Sequence, residues 1–217
     1  LLAQFNGLTS LCLAVSQTAD PLGAYYAYEF FTTDFPDYFK IGVWPDGYYV
    51  STNESNYNAW VFERPKMILG QAAQSRKATG FANNFLMPVD VDGIVAPPPG
   101  APAIYYTFLD NSFHGGTDRL ELRAFDVNWV TPANSTFTTI GSPAVAAFTY
   151  TVCGFFNLSC APQPGTGQQV DVVSEWPMFR LAYRRFAGHE TLVGNFTVPV
   201  SGRAAPRTAA AGFCSRP

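Results

Sequence analysis

Between residues 16 and 53 the chain alternates short aromatic and β-branched runs with Pro and Gly corners, and this punctuation limits what it can fold into more than any other feature. Tyr25-Tyr26-Ala27-Tyr28 follows Asp20-Pro21-Leu22-Gly23, and Phe39-Lys40-Ile41-Gly42-Val43 follows Phe35-Pro36-Asp37. Trp44-Pro45-Asp46-Gly47 then leads into Tyr48-Tyr49-Val50. Asp-Pro and Pro-Asp-Gly corners between such runs are the pattern of repeated antiparallel hairpins.

The same pattern continues along the chain. Strands are expected over residues 8–16, 25–31, 39–43, 48–53, 59–63, 104–110, 119–127, 144–152, 178–186 and 191–198, each bounded by Gly, Pro, Asp or Asn. One short helix is expected over residues 64–74, where Pro65 suits a first turn and Met67, Ile68 and Ala72 share a face. Two Pro/Gly segments, 93–102 and 160–168, read as loops crossing between sheets, because the strand pattern is the same on either side. The chain therefore reads as one all-β domain over residues 1–202 with a divergent tail at 203–217.

Charge narrows the function classes. Charged residues are 13% of the 217, against roughly 25% in an ordinary domain, and aromatics reach 16%. Such a chain buries apolar surface too readily to be disordered and has the composition of a secreted, extracellular β protein. The net charge is −3, the only lysines are Lys40, Lys66 and Lys77, and the arginines form no stripe. Nucleic acid is excluded as a partner, since nothing here neutralises a phosphate backbone. No apolar run approaches the roughly 18 residues of a membrane span. Without an initiator Met or a leader-like segment, the sequence reads as a mature product, a trimmed chain or a fragment.

Of four cysteines, Cys153 and Cys160 bracket a short loop with no histidine nearby, the spacing of a disulfide rather than a metal site. Cys12 lies in an apolar run and is either a buried thiol or the distant partner of Cys214.

A weak internal echo links Pro36 and Phe39-Lys40-Ile41-Gly42 with Pro177 and Phe179-Arg180-Leu181-Ala182, with Ile104-Tyr105-Tyr106-Thr107-Phe108 midway. Repeats at that spacing suit loop-swollen blades. The stretches Ser16-Gln17-Thr18-Ala19-Asp20-Pro21-Leu22-Gly23-Ala24-Tyr25-Tyr26, Lys40-Ile41-Gly42-Val43-Trp44-Pro45-Asp46-Gly47-Tyr48-Tyr49 and Arg180-Leu181-Ala182-Tyr183-Arg184-Arg185-Phe186-Ala187-Gly188-His189-Glu190 together resemble an uncharacterised family of secreted bacterial proteins that looks like a β-propeller. The resemblance runs over residues 8–200 and stops near Arg203. It implies propeller-like antiparallel blades, and, because members are usually longer, an incomplete ring whose edges pair by self-association or with partner blades. It carries over no catalytic residues.

Several constellations could carry chemistry. Asp46 in its Pro-Asp-Gly corner is explained by turn geometry, and is also the carboxylate a glycoside hydrolase would place at a propeller mouth, with Asp126 and Glu190 as further candidates. Asp90 and Asp92 alternate as calcium ligands do, although the rest of a twelve-residue calcium loop is missing; no cofactor is otherwise required. His189 and Glu190 are adjacent, so strand alternation directs them apart rather than into a dyad. Trp44, Tyr48, Tyr49 and Trp60, taken as exposed, could stack on sugar rings, with His189 beside them. His114 reads as a glycine-rich hairpin tip, and no Gly-x-Ser-x-Gly elbow occurs. The leading expectation is a binding or surface-interaction module for a glycan or protein ligand. The alternative is an extracellular glycoside hydrolase.

Overall fold

The computed structural model describes residues 1–78 and 85–199, and the backbone of 207–215. It is all-β, with two helical turns of four residues each among the described residues. The first sheet is a three-stranded antiparallel meander of β1 (Leu2–Phe5), β2 (Ser10–Ser16) and β3 (Tyr25–Phe31). The second is a four-stranded meander of β4 (Asp37–Val43), β5 (Gly47–Asn53), β6 (Tyr57–Glu63) and β7 (Ser75–Ala78).

The third sheet holds β8 (Met87–Val91), β9 (Ala103–Leu109), β10 (Arg119–Asp126) and β11 (Thr136–Gly141), again in meander order. It continues beyond β8 into β14 (Met178–Arg185), β15 (Glu190–Val198) and β16 (Arg207–Ser215). The step from β8 to β14 is parallel; every other pairing is antiparallel. A two-stranded ribbon, β12 (Ala161–Pro162) with β13 (Gln169–Val170), lies in the loop between. The sheets are open, with their edges unclosed among the described residues.

Two apolar layers hold the sheets together. Leu11, Leu13, Val15 and Phe30 of the first sheet meet Tyr48, Val50, Trp60 and Phe62 of the second. The opposite face of the second sheet sends Tyr49, Ala59 and Val61 against Val89, Tyr105, Tyr106 and Phe108 of the third. The middle sheet is thus covered on both faces, which is why Tyr48 and Tyr49, pointing opposite ways from one strand, are both buried.

The meanders meet along β4, β8 and β14. Gly42 of β4 comes so close to β8 that a Cβ there would lie 1.9 Å from the Val89 carbonyl oxygen. The two halves of the sequence echo are β4 and β14, both of which contact β8. The run midway between them in sequence forms β9 as expected, and β8 is the strand that both β4 and β14 contact.

Three local expectations change. The helix expected over 64–74 is only α1 (Arg64–Met67): Gly70 takes φ +67° and packs beneath the Tyr26 ring, so the chain turns into β7. Residues 144–152 form no strand beyond a single bridge from Ala144 to Arg119. Val145 N–H still bonds the Asp118 carbonyl, but further along the amides are met by side chains, Tyr150 N–H by Asp110 and Val152 N–H by Ser174. Asp110 also caps the second helical turn, α2 (Asn111–His114), accepting from Phe113 N–H at 3.0 Å. Residues 207–215, placed in a divergent tail by the sequence, pair along their length with β15; 203–206 lie outside the described residues.

Candidate functional site: an open cleft at the β14–β15 hairpin

The β14–β15 hairpin turns through Phe186 to His189, closed by a hydrogen bond from Phe186 N–H to His189 O at 2.9 Å. Arg185, Phe186, His189 and Glu190 line an open cleft of about 310 Å³, with Pro98 of the 93–102 loop as its far wall. Arg185 donates to the Ala96 carbonyl at 3.2 Å, which ties the hairpin to that loop and fixes the width of the opening.

Phe186 and His189 stack, centroids 4.8 Å apart and planes 17° from parallel. Phe186 remains 46% exposed, so an apolar face is offered to solvent beside an imidazole ring. Glu190 accepts a 2.6 Å hydrogen bond from the Tyr183 hydroxyl. Tyr183 itself is buried edge-on against Trp44, at 4.9 Å. Burial first, and the Glu190 carboxylate second, push the Tyr183 phenol above its ordinary value, so it stays a donor. His189 sits in the turn, so strand alternation does not separate the pair: Glu190 turns to Tyr183, His189 to Phe186, and both border the same cleft.

The other expected site residues are distributed as follows. Asp46 is half-buried, with the Tyr49 hydroxyl 3.0 and 3.1 Å from its two carboxylate oxygens and the Trp129 indole donating to its main-chain carbonyl at 3.1 Å. Burial raises the Asp46 carboxyl above its usual range, the Tyr49 hydrogen bond works against this, and the charge of Asp126 adds to the rise. Asp126 itself is exposed at the end of β10. The structure therefore brings Asp46 and Asp126 within electrostatic reach of each other and leaves Glu190 in a separate place.

Asp90 lies on β8, and Asp92 stands just past its end, at the entrance to the following loop. Asp90 accepts from Val43 N–H at 3.0 Å and pairs with Arg180 at 3.1 Å, a contact lacking hydrogen-bond alignment. Asp92 pairs with Arg180 at 3.2 Å and Arg184 at 3.1 Å. All four carboxylate oxygens thus face nitrogen donors, where calcium would need them free. Among the described residues no group of three or more His, Cys, Asp or Glu is arranged to hold a metal ion.

The aromatic expectation is corrected. Trp44, Tyr48, Tyr49 and Trp60 are 2%, 4%, 0% and 7% exposed, because both faces of the second sheet are covered. Trp44 donates to Ala101 O at 2.8 Å and Trp60 to Glu54 at 2.7 Å, so their polar edges also point inward. His114 is held 3.3 Å from Asp110 on α2 and packs edge-on to Tyr150. The disulfide between Cys153 and Cys160 is formed, and Cys12 is a free, half-buried thiol.

Phe186 and Arg185 are the cleft residues not singled out from the sequence. Their one available signal was an aromatic at a strand end beside Gly188, where turn chemistry calls for a polar residue. Among the described residues no helix is long and apolar enough to cross a membrane. No protein-family model matches the chain, and no curated protein or solved structure matches it either.

Proposed function

We propose that this chain is a secreted binding module of propeller-like blades that holds a glycan in the cleft at the β14–β15 hairpin. The observation that carries the reading is the half-exposed Phe186 stacked on His189, with the Glu190 carboxylate and the Arg185 guanidinium alongside. Sugars present one C–H-rich face and a rim of hydroxyls. An apolar ring with an acceptor and a donor at its edge matches that chemistry. The cleft is open, which suits retention of a chain or branch rather than enclosure of a substrate for reaction. The disulfide is compatible with an extracellular setting. Three meanders converging on β4, β8 and β14, two of them in parallel contact, support the blade reading.

An oligosaccharide array followed by a reducing-end assay tests this. Saturable retention without new reducing ends is expected, and retention lost in Phe186→Ala. Failure to hold any glycan, or retention indifferent to Phe186, would overturn it.

A second reading, an extracellular glycoside hydrolase, is favoured by one observation: Asp46 is raised by burial beside the exposed Asp126, the acid-and-base division such enzymes use. It expects turnover that Asp46→Asn abolishes.

A further inference from the structure

The hairpin cleft has two walls, and both are held in place. On one side the His189 ring covers one face of Phe186, so the exposed area of Phe186 is its other face and its rim. On the other side stands the pyrrolidine ring of Pro98. Its loop is pinned before and after it: Ala96 O accepts from Arg185 at 3.2 Å, and Ala101 O from the Trp44 indole at 2.8 Å. Between these points Pro97, Pro98 and Pro99 fix three successive φ angles, and Ala101 N–H closes a turn onto Pro98 O at 3.0 Å. The gap therefore has a set width. At about 310 Å³ it lies at the small end of ligand clefts, which run from roughly 300 to 1,000 Å³.

The fixed charges lining this gap cancel. Arg185 lies opposite Glu190 across β14 and β15, and both line the cleft, while the neighbouring Arg184 is turned to Asp92. A ligand carrying a net charge meets one member of the Arg185–Glu190 pair as an opponent. A ligand of neutral hydroxyls can use both, Glu190 as acceptor and Arg185 as donor. Sugar stereochemistry then meets the two walls. A pyranose ring with every substituent equatorial shows C–H on both faces and hydroxyls only around its rim. One axial hydroxyl places a polar group on a face, where a wall of set position would desolvate it without a partner.

We propose that the cleft selects neutral pyranoses whose substituents are all equatorial, the β-linked glucose class. One such ring lies between the Phe186 and Pro98 walls with rim hydroxyls on Arg185 and Glu190, and Pro98 is the residue that sets the selectivity. The inference rests on the glycan reading of the cleft and adds to it the class of sugar.

Titration calorimetry at neutral pH with hexasaccharides of one β-1,4 linkage tests it. Cellohexaose has every substituent equatorial, mannohexaose differs only in an axial hydroxyl at C2, and fully deacetylated chitohexaose keeps the cellohexaose geometry but carries an ammonium at C2. The parent is expected to bind cellohexaose, and each of the other two on the order of tenfold more weakly, the scale of one buried hydroxyl left unpaired. Pro98→Ala, checked for folding by circular dichroism, removes one wall and should bring the cellohexaose and mannohexaose affinities together. The comparison of the three sugars on the parent stands whether or not that variant folds. Mannohexaose or chitohexaose bound by the parent as tightly as cellohexaose, or a folded Pro98→Ala with the parent's preference intact, would overturn the sugar class and leave the glycan reading in place. Binding of no oligosaccharide, here or on the array, would overturn both.

Discussion

The Tyr49 hydroxyl lies 3.0 and 3.1 Å from the two carboxylate oxygens of Asp46, three residues earlier in the same turn. Tyr49 is fully buried, so its hydroxyl needs an internal acceptor, and the Pro-Asp-Gly corner supplies one. Burial raises the Asp46 carboxyl, so the folded state binds its proton more tightly than the unfolded chain does. Stability from this group is therefore present at acid pH and is lost as pH rises through the raised value. Asp46→Asn keeps an acceptor and removes the titration, so its stability relative to the parent should increase with pH across the carboxylate range and then level off. Asp46→Ala leaves the phenol stranded, at a cost of about 1–3 kcal/mol. Urea denaturation of both variants between acid and neutral pH reads out each effect.

Gly42 is fixed by backbone contact. A Cβ there would meet the Val89 carbonyl, which no side-chain rotation can relieve. Gly42→Ala is expected to cost on the order of 1–3 kcal/mol, as other overpacking changes do. Gly188, whose added Cβ would meet nothing within 4 Å, serves as the control. Its alanine variant should melt within a few degrees of the parent.

The Glu54 side chain is buried and accepts from Thr52, Trp60 and Lys77, each at 2.7 Å. Lys77→Met removes the cation and leaves the carboxylate uncompensated, at about 3–5 kcal/mol. Glu54→Gln combined with Lys77→Met should recover part of that loss. A double-mutant cycle by chemical denaturation measures the coupling, and additivity would show that the pair contributes nothing beyond its separate packing.

The Cys153–Cys160 bridge closes a loop of sequence separation seven. Loop-closure entropy for so short a span amounts to about 2.5 kcal/mol. A Cys153→Ser, Cys160→Ser double variant should lose stability of that order. It should also release the Phe155–Phe156 segment to proteolysis, read by limited digestion and mass mapping.

Much of the fold was legible because β structure is punctuated locally. Residues 25–31 form β3 as expected, and the Trp44–Gly47 corner joins β4 to β5. The disulfide was legible from spacing alone. What failed depended on distant partners. Strand β8 was hidden because Asp90, with Asp92 just past the strand end, reads as a loop carboxylate until Arg180, some ninety residues on, pairs with it. Residues 144–152 have a strand's composition, but Asp110 and Ser174 take the amides a neighbouring strand would have paired. Trp44, Tyr48, Tyr49 and Trp60 read as surface platforms in the sequence, which does not show that the second sheet is covered on both sides. His189 and Glu190 were found, but their neighbours Phe186 and Arg185 gain meaning only when the 93–102 loop forms the opposite wall.

Titration calorimetry of an array-selected oligosaccharide into the parent and Phe186→Ala tests the central claim most directly. The account predicts stoichiometric binding by the parent and a loss on the order of tenfold in the variant, equivalent to about 1.4 kcal/mol, with both proteins equally folded. Equal affinity in the two proteins would contradict it, and so would release of reducing ends during the parent titration.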